Sequence, residues 1–206
     1  MKNHPLASAL ASTARLVSGV KPMWMGCEPS ASRRVYFANH TSHLDAVVLW
    51  SCLPPVLRAN TRPVAARDYW QRGRVRPYLA ARVFRALLID RVPPADAPRG
   101  PSAVDVMLEA LDESSLILFP EGTRGRGDVV APFRAGLYKL ASARPDVEFV
   151  PVHLENLNRI LPKGEVLPVP LLSRAHFGTP MHLASDEPRD AFLERARAAV
   201  EALGAS

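Results

Sequence analysis

Short apolar runs alternate along this chain with longer stretches in which apolar positions recur every three or four residues. Continuous apolar runs bounded by turn residues are typical of buried strands. They predict strands at residues 35–38, 63–66, 86–90, 115–119, 147–154 and 174–177. The regularly spaced apolar positions between these runs are typical of helices that bury one face.

The predicted helices alternate with the strands. They cover residues 5–20, the apolar run from 46 to 50, residues 76–85, a stretch that begins at Ser102, and residues 133–143 and 188–203. Ser102 precedes Asp105 by three positions, which is the spacing of a capping box at a helix N-terminus. Strands separated by helices favour an α/β fold, with a mixed central sheet flanked by helices. Because 206 residues are enough for one good core, we expect a single domain.

Composition narrows the class of protein. Apolar residues make up 48% of the chain, which excludes an intrinsically disordered protein. The two cysteines, Cys27 and Cys52, lack metal or redox spacing and are expected to be free thiols of a reducing compartment. No apolar run reaches the roughly 18 residues of a membrane-spanning helix, and the N-terminus lacks the compact apolar stretch of a secretory signal.

The N-terminal segment, residues 1–28, is predicted to hold a weakly amphipathic helix ahead of the main domain at residues 29–206. Its larger apolar residues are spread among alanines and serines: Leu6, Leu10, Leu16, Val17 and Val20. Two interpretations compete. The helix packs on the core, or it lies in a membrane interface, where Met-Trp-Met at residues 23–25 beside Lys21 would add apolar area.

Positive charge is concentrated in one part of the chain. The formal net charge is +6, yet residues 58–91 alone carry +7, since nine arginines there are balanced by two acids, Asp68 and Asp90. Such a surface suits an anionic membrane, nucleic acid or an acidic partner, or it is simply a solvated face. We do not expect nucleic acid to bind, because no recognition motif accompanies the charge.

The stretch from Asn39 to Asp45 (Asn-His-Thr-Ser-His-Leu-Asp) contains the main candidates for chemistry. It follows a predicted strand and precedes a predicted helix, a common position for a catalytic loop. On one continuous helix, five positions would rotate His40 and Asp45 by about 500°, onto different faces. The two can pair only if His40 lies in the loop ahead of the helix. A histidine oriented by a carboxylate is a poised general base.

Three other interpretations of this stretch stay open. Ser42 and Asp45 also have the spacing of a capping box at the start of a helix. A lone histidine in a polar loop is more often an ordinary surface residue than a base. The third interpretation is a zinc site formed by His40, His43 and Asp45, although no further ligand cluster follows in the sequence.

A second candidate loop follows the predicted strand at residues 115–119. Its sequence at residues 120–125 is Pro-Glu-Gly-Thr-Arg-Gly. Proline ends the strand ladder, the glycines permit backbone conformations closed to other residues, and Glu121 and Arg124 project from the edge of the sheet. Alone, this loop would be interpreted as a solvated turn with a surface ion pair.

Together the two loops are more specific than either one alone. Asn-His-x4-Asp at residues 39–45 and Phe-Pro-Glu-Gly-Thr-Arg at 119–124 resemble the first and third signature blocks of the glycerolipid acyltransferases. Ile-Asp-Arg at 89–91 resembles the end of the second block and Val-Pro-Val at 150–152 resembles the fourth. The resemblance covers about residues 35–155. The second block departs from the family pattern, since it has Arg85 and Leu88 where glycine and phenylalanine are usual.

The resemblance implies a role for each residue of these blocks. His40 would be the general base, and Asp45 would orient its ring. Arg91 and Arg124 match the family's phosphate-contacting positions, where the forked donors of arginine suit a phosphate group. The other implied substrate-binding residues are Glu121, Gly122, Thr123 and Pro151. We expect neither a metal nor an organic cofactor.

The resemblance also implies a reaction. An acyl group would pass from acyl-CoA or acyl carrier protein (ACP) to the free hydroxyl of a lysophospholipid, 1-acyl-sn-glycerol-3-phosphate, giving phosphatidic acid. The alternative acceptors are glycerol-3-phosphate and a lyso-aminolipid. The enzyme would work as a peripheral protein at the cytoplasmic face of an anionic membrane. A basic module that binds membrane or nucleic acid without catalysis is the alternative from another class, and it explains the charge but neither loop.

Overall fold

The computed structural model describes residues 5–71, 73–90, 101–125, 129–157 and 172–205. Within these ranges the strands are β1 (Lys21–Trp24), β2 (Arg34–Ala38), β3 (Thr61–Ala66), β4 (Leu87–Ile89), β5 (Ser115–Leu118), β6 (Glu148–Glu155) and β7 (Arg174–Phe177). The helices are α1 (Pro5–Ser18), α2 (Asp45–Cys52), α3 (Pro55–Ala59), α4 (Arg67–Trp70), α5 (Val75–Tyr78), α6 (Ala103–Leu111), α7 (Gly136–Ala143) and α8 (Arg189–Gly204). A π-helical turn, Leu79–Val83, continues α5.

The strands form one mixed sheet in the order β1-β7-β6-β2-β5-β3-β4. Neighbouring strands from β6 through β2, β5 and β3 to β4 are parallel, whereas β7 is antiparallel to β6 and β1 is parallel to β7. Parallel strands end at the same edge of a sheet, and ligands of such sheets bind outside that edge. The loops that follow β2 and β5, which are neighbours, therefore lie side by side.

Both faces of the sheet are buried, and β2 shows how the sequence achieves this. Its alternate residues Val35 and Phe37 pack with apolar residues of α6, α7 and α8. Tyr36 and Ala38 point the other way and pack with residues of α1 and α2. Side chains alternate between the faces of a strand, so a strand covered on both sides must be apolar throughout. This is why the continuous apolar runs located the central strands.

The α/β class, the mixed sheet and the N-terminal helix were predicted correctly, but some elements differ from the sequence-based expectation. Strand β1 was not predicted. Its Trp24 stacks on Phe177 of β7, with ring centroids 3.9 Å apart, so this indole packs against the sheet. The helix expected from residue 133 begins at Gly136. The backbone N–H of Arg134 donates to Pro120 O at 2.9 Å, which ties the preceding residues to the β5 loop instead of the helix.

The N-terminal helix packs on the core along one side. Ala11 of α1 is fully buried against the α2 side of the sheet. Arg15 Nε donates to Ser51 O of α2 at 2.6 Å, while Leu16 on the outer side is 85% exposed. The expectation that this helix packs on the core is confirmed, and Leu6, Leu16 and Val17 remain exposed on its outer side. None of the helices in the described ranges combines the length and apolar character needed to cross a bilayer.

Candidate active site

The loop between β2 and α2 folds back so that His40 meets Asp45, the first residue of α2. His40 Nδ1 lies 2.9 Å from Asp45 Oδ2. The same carboxylate oxygen accepts the backbone N–H groups of Thr41 at 2.6 Å and Ser42 at 2.8 Å. The Asp45 side chain is 0% exposed and that of His40 is 22% exposed. The carboxylate is therefore shielded from water, whereas the imidazole reaches the surface.

The capping-box interpretation of Ser42 and Asp45 is confirmed only in its acidic half. Asp45 accepts the N–H of Ser42 at 2.8 Å, but Ser42 Oγ accepts the N–H of Leu44, at 3.3 Å, and not that of Asp45. The residue that precedes α2 is Leu44, and no side chain caps the helix there. The carboxylate of Asp45 turns back toward the loop because two N–H groups and the imidazole converge on one of its oxygens. Its other oxygen, Oδ1, is buried without a hydrogen-bond partner in the described part of the chain. The predicted capping box does form at α6, between Ser102 and Asp105.

The β5 loop holds His40 by its backbone. Glu121 is buried, with 5% of its surface exposed, so it does not belong to the surface ion pair that the loop alone would suggest. Its Oε1 accepts the N–H of His40 at 2.6 Å, and its Oε2 accepts the N–H of Ala131 at 3.1 Å. The N–H of Gly125 donates to His40 O at 2.8 Å. Both backbone polar groups of His40 thus bond to one loop, an arrangement called the Glu121 clamp below.

Burial and hydrogen bonding shift the pKa of Glu121 in opposite directions. Burial raises the pKa of its carboxyl above the ordinary value of 4.5, and the N–H donors of His40 and Ala131 pull that pKa down by less. Both carboxylate oxygens are already bonded to backbone. Glu121 therefore supports the position of His40, a role that the side-chain pattern of the loop did not reveal.

Two further contacts fix the loop that carries His40. The imidazole stacks on Phe119, with ring centroids 4.4 Å apart. Asn39, the preceding residue, donates from Nδ2 to Leu154 O at 3.0 Å and accepts from Leu154 N at its Oδ1 at 2.7 Å. The second ring nitrogen of His40, Nε2, has no hydrogen-bond partner among the described residues. The site thus presents one free imidazole nitrogen on a ring that is fixed from several directions.

Gly122 is required by local geometry. Its φ of 72° lies in the left-handed region that favours glycine. A Cβ at this position would overlap the guanidinium of Arg134, whose Nε donates to Glu121 O at 3.3 Å. The family resemblance implied that Gly122 binds substrate, and in the structure Arg134 fills the space that a side chain at this position would take. Arg134 was not singled out by the sequence, because no motif connects it to the β5 loop.

The remaining candidate residues do not all lie at the His40 loop. Thr123 and Arg124 are exposed and continue the loop that holds His40. Pro151 is buried within β6, where its carbonyl accepts the N–H of Gly178 at 2.9 Å. The structure therefore brings Thr123 and Arg124 to the His40 loop but places Pro151 in the interior of the sheet. Arg91 lies outside the described residues.

An aromatic and cationic group adjoins the His40 loop. His43 stacks on Tyr69 with centroids 4.8 Å apart, and the Arg76 guanidinium lies 4.4 Å from the centroid of the same tyrosine ring. Partial burial lowers the pKa of His43, and the positive charges of Arg124 and Arg76 lower it further. The only sequence signal for Tyr69 and Arg76 was their location in the arginine-rich segment. No role had been assigned to either residue.

A metal site is not formed by the residues proposed for it. His43 turns to Tyr69, so His40, His43 and Asp45 do not converge on one point. In the described ranges, no group of three or more His, Cys, Asp and Glu side chains is placed to hold a metal ion.

A cavity of about 380 Å³ opens beside the Glu121 clamp. Its lining is Asn39, Thr41, Glu121, Val129, Val130, His153, Glu201, Gly204 and Ala205. His153 is the titratable residue on the β6 side, and burial lowers its pKa. Of the substrate-binding residues expected from the sequence, the lining includes Glu121.

Comparison with known proteins gives the same assignment as the motifs. A 1-acyl-sn-glycerol-3-phosphate acyltransferase of Limnanthes douglasii is 34% identical over 160 residues, which are 75% of this chain and 53% of the relative. A protein of the same name from Salmonella typhimurium is 31% identical over 128 residues, which are 59% of this chain and 46% of the relative. The chain therefore spans about half the length of these relatives.

The fold has a counterpart among solved structures. The crystal structure of the 1-acyl-sn-glycerophosphate (LPA) acyltransferase PlsC from Thermotoga maritima matches with a TM-score of 0.71 and 20% sequence identity. The match covers 98% of this chain and 80% of that chain, and at this identity it shows the fold alone. The family model described as Acyltransferase matches residues 27–155, a range that contains all four sequence blocks and more than half of the chain. This protein belongs to the acyltransferase family.

Proposed function

We propose that the protein transfers a fatty acyl group from an acyl thioester, acyl-CoA or acyl-ACP, to the free hydroxyl of a lysophospholipid. The favoured acceptor is 1-acyl-sn-glycerol-3-phosphate, because relatives of 31–34% identity are named for that reaction. The observation that supports the proposal most directly is the 2.9 Å contact between His40 Nδ1 and the buried Asp45 carboxylate.

The proposed mechanism uses His40 as a general base. Asp45 accepts the hydrogen bond from Nδ1, so the lone pair lies on the free Nε2. Nε2 takes the acceptor hydroxyl's proton as its oxygen attacks the thioester carbon, and Asp45 stabilises the imidazolium that forms. The carbon–sulfur bond then breaks, and the imidazolium protonates the leaving thiolate. A base positioned in this way contributes roughly 10²–10⁴ to the rate, and no covalent enzyme intermediate is needed.

Arg124 is the proposed phosphate contact of the acceptor. It is exposed, lies in the loop that holds His40, and acts electrostatically on His43. Arginine can form two parallel hydrogen bonds to phosphate, whereas lysine acts as a point charge. Arg124→Lys should therefore raise KM for the acceptor more than KM for the donor. Equal increases in both would contradict a contact with the acceptor phosphate.

A panel of acceptors and donors tests the activity. Purified protein would be assayed for thiol release and lipid product, using palmitoyl-CoA or palmitoyl-ACP with lysophosphatidic acid, glycerol-3-phosphate and a lyso-aminolipid. We expect the highest kcat/KM with lysophosphatidic acid. His40→Ala should abolish product formation, and His182→Ala, which removes an exposed histidine next to α8, should not. Product formation by His40→Ala near the wild-type rate would refute the role of His40 as the base. Donor turnover at a rate that does not depend on any acceptor would refute acyl transfer to a lipid acceptor.

We also propose that the outer side of α1 lies in a membrane interface. Leu16 is 85% exposed there, and Leu6 and Val17 are 39% and 36% exposed. A helix inserts an apolar side into the interface with a strength that follows its buried area. Leu16→Glu should weaken binding to vesicles of phosphatidylglycerol and phosphatidylethanolamine, whereas Ser185→Glu, an exposed change on the loop before α8, should not. Equal vesicle binding by the two variants would refute the proposal that α1 lies in the membrane interface.

A further inference from the structure

Arg76 is held in place by an aromatic side chain next to the proposed active site. Its guanidinium lies 4.4 Å from the centroid of Tyr69, and Tyr69 in turn stacks on His43. His43 is three positions from His40 in the loop that the Glu121 clamp fixes. Contact with an aromatic face orients a guanidinium while leaving its N–H donors available. Arg76 is thus connected to the loop of the base through two ring contacts.

Among the residues that the structure describes, no carboxylate balances the charge of Arg76. In the same arginine-rich segment, Arg67 pairs with Asp90 at 3.0 Å. Within the described ranges, neither Arg76 nor Arg124 has a carboxylate partner. Arg76 reaches the His40 loop through the Tyr69–His43 stack. Arg124 precedes Gly125, whose N–H donates to His40 O at 2.8 Å. Both positive charges lower the pKa of His43. Two cations beside the loop of the proposed base, without carboxylate partners among the described residues, favour an anionic ligand.

We propose that Arg76 and Arg124 together bind a phosphate group of a substrate, with the Tyr69–His43 stack as the support for Arg76. This inference rests on the proposed acyl transfer, and it adds a phosphate-binding residue outside the four sequence blocks. Guanidinium groups that approach from two elements, the β5 loop and α5, can bind different oxygens of one phosphate. Two substrates of the proposed reaction offer such a group: the acceptor, through its phosphomonoester, and the donor, through the phosphates of CoA or phosphopantetheine.

Kinetics with a matched control tests the proposal. Arg76→Gln removes the cation, and Arg82→Gln removes an exposed arginine from the neighbouring π-helical turn as a control of equal charge change. We expect Arg76→Gln to raise one KM about tenfold, since hydrogen bonds to charged groups are the stronger class, and to leave kcat within about threefold. Arg82→Gln should change neither KM by more than about twofold. A rise that Arg82→Gln reproduces, or an equal rise in both KM values, would overturn the proposal.

Substrates that lack phosphate show whether the acceptor or the donor supplies the phosphate group that Arg76 binds. If the acceptor phosphate binds Arg76, the effect of Arg76→Gln disappears with 1-palmitoylglycerol as acceptor. If the donor phosphate binds there, the effect disappears with S-palmitoyl-N-acetylcysteamine as donor. An effect of the same size with both phosphate-free substrates would show that Arg76 binds no phosphate. Tyr69→Leu, which keeps the charge but removes the ring support, should raise the same KM by a smaller factor.

A binding experiment separates this inference from the proposed function. The His43 ring resonances would be followed by NMR as a function of pH, with and without inorganic phosphate. Phosphate bound between the two arginines should raise the pKa of His43, and Arg76→Gln should abolish that response while Arg82→Gln keeps it. If this response is seen in a protein without acyl transfer, the phosphate site stands and the proposed function fails. If acyl transfer is present and phosphate shifts His43 equally in wild type and Arg76→Gln, the site is refuted and the function stands.

Discussion

Replacing Asp45 with asparagine removes the negative charge of the proposed His40–Asp45 dyad and keeps a side chain of nearly the same shape. The amide oxygen can take the place of Oδ2 and still accept hydrogen bonds from His40, Thr41 and Ser42. The amide NH2 then occupies the position of Oδ1, which is buried without a hydrogen-bond partner among the described residues. A buried unsatisfied donor costs about 1–3 kcal/mol. Asp45→Asn should therefore fold, with a somewhat lower Tm.

The catalytic loss follows from the distance in the structure. In the structure the His40 ring lies 2.9 Å from the carboxylate, and the proposed mechanism puts an imidazolium at that separation in the transition state. Coulomb's law with an effective dielectric of about 20 gives a ceiling of roughly 6 kcal/mol for unit charges at that separation. The net contribution of a hydrogen bond to a charged group gives a floor of about 1.5 kcal/mol. We expect an intermediate loss of about 3 kcal/mol, or roughly a hundredfold in kcat, with little change in KM.

Initial rates of lipid product formation, measured beside thermal unfolding, provide the test. Asp186→Asn makes the same chemical change at an exposed position before α8 and should leave kcat unchanged. Asp45→Ala also removes the acceptor for Thr41 and Ser42, so it should lower Tm further than Asp45→Asn does. A folded Asp45→Asn variant whose kcat stays within about threefold of wild type would refute the idea that this carboxylate stabilises an imidazolium.

Three other substitutions test the support of the site. His40→Ala should lower kcat by roughly 10²–10⁴ with a near-native Tm, since the Glu121 clamp bonds to its backbone; a large fall in Tm would contradict this. Gly122→Ala should destabilise by about 1–2 kcal/mol because its φ is 72°, and the Arg134→Ala background should relieve only the steric part; full recovery of Tm there would argue against backbone strain. Burial raises the pKa of Glu121 above 4.5, so the associated stability is complete below that pH and is lost as pH rises through the raised pKa. Glu121→Gln should flatten this decline in Tm, and an unchanged slope would show that another group causes it.

Apolar patterning predicted the centre of the fold better than its edges. Strands that are buried on both faces are continuous apolar runs, so β2, β5 and β6 could be found from the sequence. Strand β1 has the sequence Lys-Pro-Met-Trp, which is too short and too polar to distinguish from a loop. The π-helical turn after α5 also has no simple periodicity, and residues 76–85 had been predicted as one regular helix.

The site shows a similar division between local and distant contacts. Helical rotation was enough to show that His40 and Asp45 could pair only with His40 in the loop ahead of the helix, and the family resemblance implied that they do. The Glu121 clamp joins a side chain to backbone groups, one of them 81 positions away, and side-chain patterns do not encode such partners. Arg85 is an intermediate case. It stands where the family usually has glycine, and its φ of 49° shows the backbone conformation that glycine would adopt without strain.

The two hydrogen bonds between Asn39 and Leu154 span 115 positions of the chain. During synthesis, the segment with the imidazole and its carboxylate leaves the ribosome long before its partner strand β6. A nascent chain that ends within α7 would have both members of the dyad but no Leu154 backbone to fix Asn39. Enzymatic activity should therefore appear late in translation, only after β6 has paired with β2 in the centre of the sheet.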